Sequence, residues 1–71
     1  MLIREFDVII NLNNVRSFYI NRLDEEYEIM FEYNDNTVDT MGCYKKYEEA
    51  KRVFNEIIAY YNEGRRVYVV G

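Results

Sequence analysis

The chain has 71 residues and a net charge of −4, with no histidine, tryptophan or proline and one cysteine. A second hydrophobic core does not fit within this length, so residues 1–71 are expected to form a single domain with a small core. Without histidine and with one thiol, the chain lacks the groups for a zinc site or a histidine-activated nucleophile. We therefore expect no metal, no cofactor and no catalysis.

Two strands are predicted near the start of the chain, at residues 7–12 and 15–21. In each strand, successive side chains point to opposite faces of a sheet, and apolar residues recur on one of the two faces. Consecutive asparagines at positions 13 and 14 indicate the turn between them. One face of this predicted pair carries Val8, Ile10, Leu12, Phe18 and Ile20.

The next two strands, at residues 27–33 and 37–44, are predicted to form a hairpin. Asn34, Asp35 and Asn36 favour a turn between them, because asparagine and aspartate tolerate positive φ. A two-residue loop pairs Tyr33 with Val38, Phe31 with Thr40 and Tyr27 with Tyr44 on the helix-facing side. The same register places Met30 opposite Met41, and Glu32 opposite Asp39, on the outward side.

A helix is predicted at residues 47–63, because apolar residues recur there at helical spacing. The stripe consists of Ala50, Val53, Phe54, Ile57, Ile58 and Tyr61. Gly64 follows as a helix cap, and residues 67–70 read as a short final strand that is apolar on both faces. Together these elements predict an α+β fold: a four- to five-stranded antiparallel meander, one amphipathic helix packed across one face, and a short C-terminal strand.

The sheet face opposite the helix is predicted to be apolar. A single sheet with one helix has nothing of its own to cover this face, and monomers seldom expose a large apolar patch. Self-association into a homodimer or larger assembly follows as an expectation. The predicted interface consists of Ile9, Tyr19, Met30, Met41 and Cys43, together with Tyr68 from the final strand. The alternative is that Glu28, Glu32 and Asp39 break the patch into scattered residues.

Basic residues flank both ends of the predicted helix. Lys45, Lys46, Arg65 and Arg66, with the aromatic ring of Tyr44, are candidate contacts for a small anionic ligand such as a nucleotide, in a pocket that subunits could share. The net charge of −4 opposes polynucleotide binding at long range. The charges are also uneven, since residues 1–40 carry −6 and residues 41–71 carry +2. A dipolar molecule is expected.

The compartment is predicted from cysteine use and from hydropathy. Cys43 is most simply a reduced thiol in a cytoplasmic protein. No apolar run approaches the length of a membrane span, and the first five residues lack the basic and apolar pattern of an export signal. We therefore expect a cytoplasmic protein without a membrane partner.

Several short patterns resemble a group of small uncharacterised proteins of low-GC Gram-positive bacteria and their phages. They are the run from Ile10 to Val15, the Asn/Asp turn of the meander, Gly42-x-Tyr44 before the helix, Glu48-Glu49-Ala50 at its start, and Gly64-x-x-Val67-Tyr68 at the end. The resemblance implies a meander with one helix and a phage or mobile-element context. It implies no activity and no functional residue.

Two functional hypotheses follow from the sequence. The first is a small noncatalytic protein-interaction module that self-associates and, in the phage context, binds and inhibits a host factor such as a defence component. The second is a ligand-binding sponge that sequesters an anionic small molecule such as a signalling nucleotide.

Overall fold

Residues 1–70, the part of the chain that the computed structural model describes, form six strands, a short 3-10 helix and one α-helix. In chain order these are β1 (Leu2–Glu5), β2 (Val8–Asn11), the 3-10 helix (Leu12–Asn14), β3 (Val15–Leu23), β4 (Glu26–Tyr33), β5 (Val38–Tyr44), α1 (Tyr47–Asn62) and β6 (Val67–Val69). One helix packs against antiparallel strands, so the predicted α+β class is confirmed.

The strands form two sheets of three strands each. β3, β4 and β5 make an antiparallel sheet, here called the meander, in which β4 is central. β2, β1 and β6 make a second sheet, here called the mixed sheet, because β1 pairs antiparallel with β2 and parallel with β6. No strand is predicted from the sequence at Leu2–Glu5, yet this segment forms β1 and pairs with β6.

The register of the β4–β5 hairpin differs by one residue from the prediction. Tyr33 donates its N–H to the Thr37 carbonyl at 2.8 Å, which closes a three-residue loop instead of a two-residue one. Asn36 adopts φ 73° in this loop, a conformation that asparagine tolerates. The Asp35 carboxylate also stabilises the loop, since it accepts a hydrogen bond from the backbone N–H of Thr37 at 3.0 Å. Phe31 therefore pairs with Asp39, Met30 with Thr40, and Ile29 with Met41.

A bulge in β5 absorbs this offset further along the hairpin. The register shifts between Tyr27 and Ile29, so Tyr27 pairs with Tyr44 as predicted. The extra residue is Gly42. It adopts φ +78°, a backbone conformation that favours glycine over other residues. A Cβ at this position would lie 2.4 Å from the Tyr44 ring, so the close approach of that ring also requires glycine.

The helix follows the predicted apolar stripe and ends one residue before the predicted boundary. Ala50, Val53 and Ile57 are buried, while Phe54 is half-buried. Glu48 and Glu49 lie in the first turn, where carboxylates complement the helix dipole. Gly64, at φ +73°, ends the helix, and the N–H of Arg65 bonds the Tyr60 carbonyl at 3.1 Å.

Both sheets and the helix contribute to one core. The buried residues are Ile3, Ile10 and Tyr68 from the mixed sheet, Ile29, Phe31 and Met41 from the meander, and Ala50, Val53 and Ile57 from the helix. Each sheet therefore has one face toward the shared core and one face directed away from it. The outward faces belong to two different sheets.

Candidate interaction surfaces

The outward face of the mixed sheet is the clearest exposed apolar surface. Ile3 pairs with Ile10 on one side and with Tyr68 on the other, and this row is buried. Because side chains alternate along each strand, the neighbouring rows face outward. We call this surface the mixed-sheet face; its apolar members Leu2, Ile9, Val67 and Val69 are all exposed.

Arg4 lies within the mixed-sheet face, paired with Ile9 on one side and Val69 on the other. Its Nε donates to the Phe6 carbonyl at 3.0 Å, so the guanidinium is tied to the β1–β2 turn. Phe6 itself is 87 % exposed and adopts φ 52°.

Two residues of the predicted interface are buried, and their assignment to an outward face is wrong. Met41 is in the core because the three-residue loop pairs it with Ile29 instead of Met30. Tyr68 faces inward because β6 pairs with β1, opposite Ile3. Its ring stacks on Tyr60 at 4.9 Å, and its hydroxyl donates to Glu56 at 2.9 Å. Burial and this carboxylate raise the pKa of Tyr68.

The other predicted interface residues are divided between the two sheets. Ile9 lies on the mixed-sheet face, whereas Tyr19, Met30 and Cys43 belong to strands of the meander. Tyr19 pairs with Met30 in neighbouring strands. The structure therefore does not bring the predicted set together into one patch.

Polar contacts occupy much of the outward meander face. Arg16 donates to Glu32 at 3.1 Å and to the Asn36 side chain at 2.7 Å. The hydrogen bond from Arg16, and a second from Tyr19, lower the pKa of Glu32, and the same carboxylate raises the pKa of Tyr19. This face is more polar than the mixed-sheet face and is a weaker candidate for burial.

The Cys43 thiol is held by carboxylates. It donates to Glu26 at 2.6 Å. That hydrogen bond raises the pKa of Cys43, and burial and the charges of Glu28 and Glu5 raise it further. Since the thiolate is the nucleophilic form, this environment disfavours reactivity.

The candidate anion contacts are separated by the helix. Lys45 and Lys46 precede α1, and Arg65 and Arg66 follow it. A helix of 16 residues is about 24 Å long, so the two basic pairs do not share a pocket within one chain. Arg65 also pairs with Glu63 at 2.7 Å and stacks over the Tyr60 ring.

Tyr44, the aromatic candidate, lies against the Gly42 bulge, and its buried hydroxyl has no hydrogen-bond partner within residues 1–70. Burial and the nearby Glu5 charge raise its pKa. This environment suits a neutral phenol. The structure thus offers no support for an anion pocket at Tyr44.

An apolar groove that was not predicted from the sequence lies between β3 and α1. It has a volume of about 420 Å³ and is lined by Leu12, Val15, Phe18, Phe54, Ile58 and Tyr61, with Arg16 and Ser17 on its strand side. Ile58 and Tyr61 are exposed at its rim. The predicted helical stripe already contains Phe54, Ile58 and Tyr61. The apolar stripe does not indicate which of its residues are exposed, because their exposure depends on how much of the helix the sheet covers.

Within residues 1–70, no group of three cysteine or acidic residues is placed to hold a metal ion. In the same range, no helix combines the length and apolar character needed to cross a bilayer. Comparisons with protein-family models, curated proteins and solved structures found no match to this chain.

Proposed function

We propose that the chain is a noncatalytic protein-interaction module that self-associates through the mixed-sheet face. The observation that carries this proposal is the pair of exposed rows on either side of the buried Ile3 row, formed by Ile9, Arg4 and Val69 and by Asn11, Leu2 and Val67. Residues opposite each other in neighbouring strands lie about 5 Å apart, so these side chains make a contiguous surface. A contiguous exposed apolar surface of this kind usually marks a site where another protein binds.

A second copy of the chain is the proposed occupant. With nine buried core residues among residues 1–70, a domain of this size is near the margin of stability, and association adds the burial that the core lacks. A two-fold interface uses the same patch twice. Asp7 is exposed in the turn between β1 and β2.

The absence of catalysis is part of the proposal. It is supported by the raised pKa of Cys43, the one thiol, and by the lack of histidine. A cytoplasmic location is proposed with it, since Cys43 is a free thiol. The resemblance to phage-associated proteins supports a role as an accessory protein that binds a host factor. The alternative function, a sponge for an anionic small molecule, is less well supported. Its candidate basic residues lie at opposite ends of α1 and do not form one pocket within a chain.

A matched pair of variants tests the interface. Val69→Lys places a charge at a 63 % exposed position of the mixed-sheet face, while Val38→Lys makes the same change at a 55 % exposed position of the meander edge. Light scattering should give about twice the chain mass of 8.7 kDa for the parent and for Val38→Lys, and the mass of one chain for Val69→Lys. Circular dichroism should be unchanged in all three proteins.

Two results would overturn the proposal. One is a parent protein that is monomeric at high micromolar concentration. The other is equal behaviour of the two variants, which would show that the mixed-sheet face has no special role in association.

A further inference from the structure

The groove between β3 and α1 has a firm apolar floor. Phe18 from β3 stacks on Phe31 at a centroid distance of 5.7 Å and contacts Phe54 from α1 at 5.1 Å. Ile58 and Tyr61 continue the helix wall toward the end of α1. Packed aromatic rings hold this surface in place in the free protein, so a ligand gains apolar contact without first ordering the site.

The strand beside the groove has a free edge. β3 has nine residues and pairs with β4 alone among the described strands. An edge of this length exposes backbone N–H and C=O groups that another extended segment pairs with readily. A segment added there places every second side chain on the helix-facing side of the sheet, where the groove lies.

The opposite edge of the meander is protected. β5 contains the Gly42 bulge, and the Glu5 carboxylate of the mixed sheet accepts the Gly42 N–H at 3.1 Å. β3 also has a register irregularity, between Val15 and Ser17, but its pairing is regular from Ser17 to Leu23. The bound Gly42 donor is what distinguishes β5, so the meander can gain a fourth strand more readily at β3 than at β5.

The lining residues of the groove include no carboxylate. On the helix side, the Lys51 ammonium lies 5.1 Å from the centre of the Phe54 ring. Arg16 contributes to the lining on the strand side, but its guanidinium bonds Glu32 and Asn36 on the outward meander face and is already paired. An acidic residue of a bound segment would therefore meet Lys51.

We infer that this groove is a strand-addition site for an extended segment of a partner polypeptide, with alternating apolar side chains directed into the groove and an acidic residue beside Lys51. The groove and the mixed-sheet face have no residue in common. The net charge of −4 by itself would favour basic peptides, and the inference therefore predicts the opposite of what overall charge predicts.

Selection from a displayed library of random twelve-residue peptides tests the inference. The enriched peptides should show apolar residues at alternating positions and an excess of aspartate and glutamate at one flanking position, where the bound peptide passes Lys51. Backbone amide signals of β3 should shift on titration with a synthetic enriched peptide, and those of β5 should not. An absence of enriched peptides, or amide shifts confined to other strands, would overturn strand addition.

Two matched pairs of variants locate the peptide. Ile58→Gln at the groove rim should weaken binding about fivefold through the loss of an apolar contact, whereas Ile9→Gln on the mixed-sheet face should leave it unchanged. Lys51→Glu should weaken binding about threefold to tenfold, and Lys45→Glu, with the same change in charge next to β5, should not.

The outcomes separate the parts of the inference. Equal binding by Ile58→Gln and Ile9→Gln would place the peptide elsewhere and overturn the site. Equal binding by Lys51→Glu and Lys45→Glu, with Ile58→Gln still weakened, would overturn the acidic preference alone. Val69→Lys should bind the peptides as the parent does, so failure of self-association and failure of this site are distinguishable.

Discussion

Two neighbouring isoleucines in α1 should respond very differently to the same substitution. Ile57 is fully buried between the helix and both sheets, whereas Ile58 is 38 % exposed at the groove rim. Ile57→Ala removes three carbons from the core, which costs about 2.4 kcal/mol in transfer free energy at ~0.8 kcal/mol per methylene. The cavity left behind raises the total to about 3–4 kcal/mol.

Ile58→Ala should cost about 1 kcal/mol, because its side chain is only partly buried and solvent fills the space that it leaves. A domain of 71 residues has about 4–10 kcal/mol of stability in total, so Ile57→Ala should be close to unfolding and Ile58→Ala should not. Urea denaturation followed by circular dichroism measures both, at one protein concentration because association adds to stability. Equal losses in the two variants would refute the orientation of the helix.

The bulge and the tyrosines give two more predictions. Gly42→Ala should destabilise more than Gly64→Ala, although both glycines have positive φ, because only at Gly42 does a Cβ meet a ring; equal changes in melting temperature would contradict this. Burial and the Asp39 hydrogen bond raise the pKa of Tyr33 from 10.0 to about 12. The folded state therefore binds more protons than the unfolded state between these values, and the unfolding free energy should fall as pH rises from 10 to 12. Tyr33→Phe should reduce this slope, and an unchanged slope would exclude Tyr33 as its source.

Local periodicity was sufficient to predict the helix and the strands of the meander. Ala50, Val53 and Ile57 recur at a spacing that no strand explains, and β4 alternates over its whole length. The β4–β5 register was not predictable to the same degree. A two-residue and a three-residue loop both suit Asn34, Asp35 and Asn36, and the choice between them decides whether Met41 faces the core.

The division into two sheets depends on a contact between the two ends of the chain. The parallel pairing of β1 with β6 joins Ile3 to Tyr68, and neither strand is long enough to signal its partner from its own sequence. This contact buries Tyr68 and leaves Val67 and Val69 outside. The final strand is apolar on both faces, so its sequence did not indicate that Tyr68 would be the residue facing the core.

The most direct test of the central claim is an isotope-filtered nuclear Overhauser experiment on a mixture of labelled and unlabelled protein. It detects only contacts between different copies of the chain. Contacts should arise from the methyl groups of Leu2, Ile9, Val67 and Val69, on the mixed-sheet face. A spectrum without contacts between copies, or one in which they arise from Tyr19 and Met30 on the meander, would contradict self-association through the mixed-sheet face.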